Sequence, residues 1–434
     1  MMASSNPIDD LAERGLLQDT TEEQSLRQHL SDGRRTFYVG FDPTAASLHV
    51  GNLVGMMTMA WLQRAGHHPI ALAGGATGRI GDPSFQDEER SLLDDATVAA
   101  NVEGIRQDFG RVLDLDDTLI VDNYEWTKDL PVLDFLRDIG KHFSVNQLIA
   151  RESVRRRLED REQGISYTEF SYGLLQAMDF DHLFRTYGCT IQAGGSDQWG
   201  NIVAGVDLIR RRHAQRVHAL TWPLVEGSDG KKFSKSAGNA PWLDPDLTSP
   251  FAYYQWWLNT DDRDVEPFLK MFTFLSLEEV GEAVSEHQAD PGSRSGQRAL
   301  ATATTRIIHG DDGVAAAEAA TEVLFGDRPV SALDDRTLAM AFEQAPTTEM
   351  ERSDLEAGIG LLDLMTRVGA AKSNAEARRL IEQGGVRLND EPVDDSTRRV
   401  SMADLANDSA LVLRVGKKRQ YLARFPLKPG MDAS

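Results

Sequence analysis

The sequence predicts an α/β protein built in parts: a parallel-sheet domain over residues 1–245, a helical domain over 246–345, a linker at 346–357 and a small α+β module over 358–434. Three observations predict it. Residues 36–225 alternate short apolar runs with helical patterns, as a parallel sheet with crossover helices requires. Glycine-rich turns close several of those runs, at the strand ends where open parallel sheets bind ligands. From about residue 358 the pattern changes to two short helices and a hairpin.

Taken in order, the stretch 36–43 (TFYVGFDP) reads as a strand. From Gly51, the apolar positions Leu53, Met56, Met57, Ala60 and Trp61 recur at helical spacing, and Gly66 is a candidate stop. HPIALAGGATG begins the next strand, and CTIQAGGSDQ is a later strand running into a glycine turn. Residues 250–345 are mostly helical in pattern, with an alanine-rich stretch from Gly313 to Val323. Around Asp327 to Asp354 the chain is spotted with proline and acids, the composition of a linker region. In the last module GLLDLMTRVG is a short helix. Ser373 and Glu376 form a capping box for a helix that ends at Gly384–Gly385, and VRLND and LVLRVGKKRQYLARF complete the module as strands.

Bulk composition constrains function less. At 41% hydrophobic residues the 434-residue chain can bury sizeable cores. No run of about 18 apolar residues is present, so no membrane span is expected. The N-terminal stretch MMASSNPIDDLAERG lacks the basic start and apolar run of a secretory signal, and the single cysteine, Cys189, excludes an internal disulfide. Both fit a cytoplasmic protein. The formal net charge is -22, from 68 acidic and 46 basic residues, which taken alone argues against a nucleic-acid partner. Binding RNA then requires local basic stripes. Arg155–Arg157, Arg210–Arg212 and Lys417–Arg419 are candidates, although short charge runs are commonly just solvated faces.

Five segments carry candidate chemistry. Tyr38-Val-Gly-Phe-Asp-Pro-Thr44, followed by His49-Val-Gly51-Asn52, places a strand, a turn and then a histidine at a helix start. Such a start has unpaired N–H groups and a positive dipole end suited to phosphate. Gly51, without a side chain, leaves room for a flat adenine. Gly74-Gly75-Ala-Thr77-Gly78-Arg-Ile-Gly81-Asp82 crowds glycines at a strand end, with Asp82 able to hold an ammonium group. Tyr172, Gln176 and Asp179 recur at i, i+4 and i+7, so a helix aligns a phenol, an amide and a carboxyl on one face. Gly194-Gly195-Ser-Asp197-Gln198 offers polar groups for ribose hydroxyls. Lys232 and Lys235, three apart in a polar loop after Gly230, can clamp developing phosphate charge. Taken singly, each segment is also read as an ordinary strand–helix turn, amphipathic helix or lysine-rich loop. No His/Cys cluster for a protein-held metal is seen.

Together, in this order, the segments closely resemble the bacterial tyrosyl-tRNA synthetases, which are class I synthetases. His49-Val-Gly51-Asn52 is similar to the family's HIGH signature, and Lys232-Phe-Ser-Lys235-Ser236 to its KMSKS signature. FDPTAASLHVGNL, GGATGRIGDPS, GKHFSVN, TEFSYGLLQAMDF and GGSDQWGN are similar to family-specific blocks, and the resemblance covers nearly the whole chain. The tail resembles the family's RNA-binding module, shared with a small-subunit ribosomal protein.

The resemblance implies a Rossmann-like catalytic domain, a helical domain on the anticodon side, and joining of L-tyrosine to tRNA(Tyr) with ATP as co-substrate. It also implies that Mg2+ travels with ATP and that the chain forms a homodimer. Tyr38 and Asp179 are expected at the tyrosine phenol. Asp82, Tyr172 and Gln176 fall at its ammonium, with Gln198 near its carboxylate. Thr44 and His49 fall at the ATP phosphates, Gly51 at adenine, Gly195 and Asp197 at the ribose, and Lys232 and Lys235 at the pyrophosphate. Two departures stand out. Asn52 occupies a position where many relatives carry histidine. After Pro83-Ser84 the chain reads Phe85-Gln86, where many relatives have a lysine nearby, which leaves Arg90 for any phosphate role. The readings weighed against this one are the tryptophanyl enzyme and a catalytically silent RNA-binding paralogue. The phenol-reading pair and the intact His49, Lys232 and Lys235 speak for the first reading.

Overall fold

The computed structural model describes residues 6–84, 93–159, 164–228, 230, 233, 240–326, 328–416 and 419–426. The chain divides into two compact units, residues 1–248 with 255–308, and residues 249–254 with 309–434.

The first unit holds an all-parallel sheet in the order β3-β2-β1-β4-β5. Its strands are β1 (Thr36–Phe41), β2 (His68–Ala73), β3 (Leu119–Asp122), β4 (Cys189–Gly195) and β5 (His218–Trp222). Crossover helices cover the faces, so β2 and β5 are buried at nearly every position, with polar His218 and Thr221 of β5 buried alongside the apolar side chains. The helix Val50–Arg64 turns Leu53, Met56, Met57 and Ala60 inward at the spacing read from the sequence. The helix Tyr167–Tyr187 starts where the Ser166 side chain accepts the Glu169 N–H. It ends at Gly188, whose φ of 63° is left-handed backbone that favours glycine.

β1 and β4 lie side by side, yet their outgoing crossovers lead to opposite flanks, β1 to β2 and β4 to β5. Where the winding reverses, the turns leaving β1 and β4 separate and open a crevice. In register, Tyr38 of β1 lies between Ile70 of β2 and Gln192 of β4. The expected α/β fold with its parallel sheet is thus present.

The second unit contains a five-stranded sheet in the order β6-β12-β11-β8-β9, with β6 (Thr347–Glu349), β8 (Val386–Leu388), β9 (Glu391–Pro392), β11 (Ala410–Val415) and β12 (Arg419–Arg424). A two-stranded pair joins β7 (Ile359–Gly360) to β10 (Arg399–Val400). The alternation of β11 sends Leu411, Leu413 and Val415 into one core, with Leu361, Leu364, Ala377 and Ile381. Ala410 and Val412 enter a second core, with Phe251, Ala320, Val323, Leu338 and Phe342.

That second core makes the organisation differ from the expected partition. Residues 246–345 are divided between the two units, and the helix Ser295–Phe325 is interrupted at Gly310, whose φ is 71°. Residues 346–357, expected as a linker, contain β6, paired parallel with β12, and a short helix that buries Leu355 completely. Proline and acids described the surface of this stretch and not its backbone pairing. At Ser373 the expected capping box is half formed. Its side chain accepts the Glu376 N–H, while the Glu376 carboxylate reaches the Lys372 N–H at 2.8 Å.

Candidate active site

A cavity of about 710 Å³ opens at the carboxyl ends of β1, β2 and β4. It is lined by Tyr38, Thr44, His49, Gly51, Asn52, Asp82, Tyr172, Gln176, Asp179, Gly195, Asp197 and Gln198, which are all of the expected site residues that the structure describes. Lys232, Lys235 and Arg90 lie outside the described residues.

Deep in this lining a phenol stands beside a carboxyl group. Tyr38 is 2% exposed, and its hydroxyl has no hydrogen-bond partner among the described residues. Asp179, also 2% exposed, is held by two donors, Asn123 Nδ2 on Oδ2 and Trp126 Nε1 on Oδ1, each at 2.9 Å. Burial pushes the Asp179 carboxyl up to about 7, against the lowering effect of those two hydrogen bonds. Burial also raises the Tyr38 phenol well above its ordinary value, and the Asp179 charge adds to that. At neutral pH the Tyr38 phenol therefore keeps its proton as an O–H donor, and the Asp179 carboxyl group, divided between its protonated and ionised forms, lies beside it as an acceptor.

Above this pair the helix Tyr167–Tyr187 presents Tyr172 and Gln176, on the face the sequence spacing assigned. The Tyr172 hydroxyl donates to Asp42 Oδ2 at 2.9 Å, and the Thr77 hydroxyl donates to Asp42 Oδ1 at 2.7 Å. Asn123 Nδ2 in turn donates to Thr77 Oγ1 at 3.1 Å, so a continuous network runs from Tyr172 through Asp42, Thr77 and Asn123 to Asp179. Gln198 Nε2 donates to Asp82 Oδ2 at 2.6 Å, and Asn201 Nδ2 to Gln198 Oε1 at 3.3 Å. The buried Gln176 Oε1 has no partner among the described residues. Two carboxylates, a phenol oxygen and an amide oxygen thus line one cavity, a set of acceptors suited to an ammonium group.

The other flank is a helix start. His49 caps the helix Val50–Arg64, its Nδ1 accepting the Gly51 N–H at 3.0 Å. Asn52 Oδ1 accepts the His49 N–H at 3.1 Å, a reciprocal capping box that leaves the Asn52 amide N–H groups as donors. The residues before His49 are fixed from below. Asp108, 1% exposed, accepts from the Ser47 hydroxyl at 2.8 Å and the Leu48 N–H at 2.7 Å. The segment after residue 240 is fixed beside them, since the Val50 N–H donates to Pro241 O at 3.0 Å and the Leu243 N–H to Leu48 O at 2.9 Å. Gly51 was expected to make room for adenine. In the structure a Cβ there would stand 2.6 Å from the Phe233 carbonyl oxygen, so the protein's own backbone already demands glycine.

Sequence reasoning missed four of these groups. Asp42 stands in a quoted motif, one residue past the end of β1, the position that could have flagged it. Asn123 follows the short strand β3, while Trp126 reaches Asp179, and Asp108 reaches Ser47 and Leu48, across long sequence separations. Of the candidate basic stripes, Arg212 pairs with the fully buried Asp181 at 2.7 Å and Arg157 with buried Glu169 at 3.0 Å, while Arg210 pairs with Asp207 at 2.7 Å. These arginines are engaged within the fold. Lys372, Arg378, Arg379 and Arg419 of the second unit are exposed, and Lys417 and Lys418 lie outside the described residues.

Known proteins match this chain along most of its length. The family model for class I tRNA synthetases (W and Y) matches residues 31–326, and that for the tyrosine--tRNA ligase SYY-like C-terminal domain matches residues 337–423. The tyrosine--tRNA ligase of Roseiflexus castenholzii is 46% identical over 96% of this chain and 99% of its own. That of Streptomyces griseus is 48% identical over 95% and 96%. A C-terminally truncated mitochondrial tyrosyl-tRNA synthetase from Aspergillus nidulans superposes with a TM-score of 0.67 at 32% identity, over 74% of this chain and 95% of that one. The strand order, the crevice at its winding reversal and these matches agree: the chain belongs to the class I tRNA synthetases, among the tyrosine--tRNA ligases.

Proposed function

We propose that this protein activates L-tyrosine with ATP to tyrosyl-adenylate and pyrophosphate, then transfers tyrosine to the 3′-terminal adenosine of tRNA(Tyr). The observation that carries the reading is the partnerless, buried Tyr38 hydroxyl beside the Asp179 carboxyl group. A ligand hydroxyl can accept from Tyr38 and donate to Asp179 at once. An indole N–H can only donate, which would leave the Tyr38 O–H unpaired.

The chemistry needs no side-chain nucleophile. A tyrosine carboxylate oxygen attacks the α-phosphorus of ATP, the bond to the bridging oxygen breaks, and pyrophosphate leaves with the electron pair. A terminal ribose hydroxyl of tRNA then attacks the acyl carbon and AMP leaves. Catalysis is positioning and charge stabilisation. In this reading Asp82, Tyr172 and Gln176 hold the substrate ammonium, and Gln198 sits near its carboxylate. Thr44, His49 and Asn52 meet the ATP phosphates, Gly51 borders the adenine, and Gly195 and Asp197 hold the ribose. Lys232 and Lys235 neutralise the leaving pyrophosphate. Mg2+ arrives on the ATP phosphates.

Catalysis is assigned to the sheet domain within residues 1–245 and tRNA contact to residues 358–434, where the exposed Lys372, Arg378, Arg379 and Arg419 can neutralise phosphates. The protein acts in the cytoplasm, as a homodimer. Exposed Val132, Leu133 and Val145, at 67%, 74% and 58%, support a covered apolar face. ATP–pyrophosphate exchange tests the core of the proposal. Exchange is expected with tyrosine and not with tryptophan, and equal or faster exchange with tryptophan overturns it.

A further inference from the structure

Between the two lysines of the polar loop stands Phe233, a residue to which no role has been given. Its backbone makes one hydrogen bond and one close approach. Its N–H donates to Val225 O at 3.2 Å, and its carbonyl oxygen lies so close to Gly51 that a Cβ there would approach to 2.6 Å. Its ring is fixed at a third point. It packs edge-on against Trp256, with ring centroids 5.0 Å apart, and against Phe268, at 5.5 Å. Those two rings belong to a cluster with Trp257 and Phe272, both fully buried. Phe268 and Phe272 belong to the helix Val265–Phe272. Phe233 also lines the cavity that holds His49, Gly51 and Asn52.

We propose that Phe233 is a positioning residue for tyrosine activation: its ring, wedged against Trp256 and Phe268, sets where its backbone meets the helix start at Gly51. The inference rests on the adenylation reading above. The geometry makes a specific division of labour. A rigid aromatic cluster supplies the fixed point, and the Phe233 carbonyl carries that position to the backbone beside His49. The phenol-reading pair is built from β1 and the helix Tyr167–Tyr187, with donors from Asn123 and Trp126, whereas the Phe233 ring packs on Trp256 and Phe268. Losing the ring therefore misplaces groups around the phosphates and leaves the tyrosine pocket alone. An aromatic side chain is suited to this because edge-to-face pairs fix orientation as well as filling space.

The test compares Phe233→Ala and Phe233→Leu with the unsubstituted chain in ATP–pyrophosphate exchange, alongside tyrosine binding by equilibrium dialysis and thermal melting. Misplacement of reacting groups by about 1 Å costs on the order of 10²-fold. Phe233→Ala is expected to lower kcat by roughly 10-fold to 10²-fold, with tyrosine Kd changed less than about 2-fold. Phe233→Leu, which restores apolar bulk against Trp256 and Phe268, is expected to recover most of the rate. A Phe233→Ala protein that exchanges at the full rate overturns the inference. So does one whose tyrosine binding falls in step with its rate, which is the behaviour of a residue needed only for folding. Rate loss in both variants with unchanged melting and no recovery in Phe233→Leu also overturns it. Absence of tyrosine-dependent exchange in the unsubstituted chain overturns the adenylation reading itself, and this inference with it.

Discussion

Asp179 holds an acid in a place that penalises its charge. Its carboxyl is pushed up to about 7 by burial, whereas an unfolded aspartate titrates near 3.9. A raised folded value means that the native state binds the proton more tightly than the unfolded chain. The stability associated with the protonated form is then full below about pH 4 and is lost as pH rises toward 7. Asp179→Asn removes that loss, but the amide has one acceptor where two donors, Asn123 and Trp126, now point. The net gain is therefore partial. The difference in melting temperature, Asp179→Asn minus unsubstituted chain, is expected to become more positive from pH 5 to pH 8, while tyrosine activation falls steeply. A difference that is flat or declines with pH would contradict the burial of this charge.

What the sequence revealed at this scale follows from chain order. Tyr38 lies within β1, Asp82, Asp197 and Gln198 sit in turns after strands, and Tyr172, Gln176 and Asp179 share one helix face, so local patterns make them visible. Their supports do not declare themselves locally. Tyr172 meets Asp42 across 130 residues, and Asp179 meets Asn123 across 56, separations that no window of sequence spans.

Among the elements, β11 decides the organisation of the second unit. Its alternating side chains serve two cores, one with the module's own helices and one with Phe251, Ala320, Val323, Leu338 and Phe342. The sequence pattern of β11 is nearly all apolar, which signals burial on both faces but does not name the partners. That is why the module's strands and helices were legible while its boundary was not. A chain ending at Asp354 would uncover the second core by removing Ala410, Val412 and Leu422. A fully buried Val or Leu side chain contributes about 1.5–3 kcal/mol. Such a chain is expected to form tyrosyl-adenylate at a near-normal rate, to bind an apolar dye more strongly than the full chain, and to lose most transfer to tRNA. Full-rate charging of tRNA by the shortened chain would show that the last module is dispensable.

For the whole molecule, the dominant physical fact is charge. A net -22 in 434 residues repels itself, and the repulsion between exposed groups is screened by salt over a Debye length of about 10 Å at 0.1 M. The melting temperature is expected to rise from low to molar KCl, and a flat or falling trend would remove self-repulsion as a significant term. Charge also frames the proposed tRNA contact, since that reading brings a polyanion to the exposed basic set of the second unit on an acidic protein.

The central claim is that this α/β crevice recognises a phenolic hydroxyl through Tyr38 and Asp179. The most direct measurement is the ratio of kcat/KM for tyrosine to that for phenylalanine, in the unsubstituted chain and in Tyr38→Phe. A site whose buried polar groups await a hydroxyl rejects the analogue lacking it by roughly 10⁵-fold, a magnitude already established for this enzyme family. Because the Tyr38 hydroxyl has no partner among the described residues, its removal leaves none of their groups newly unpaired, so Tyr38→Phe is expected to fold as stably as the parent. Its discrimination is expected to narrow by roughly 10-fold or more, the loss of about one hydrogen bond to the substrate. An unchanged ratio would contradict the account and place the reading of the phenol elsewhere.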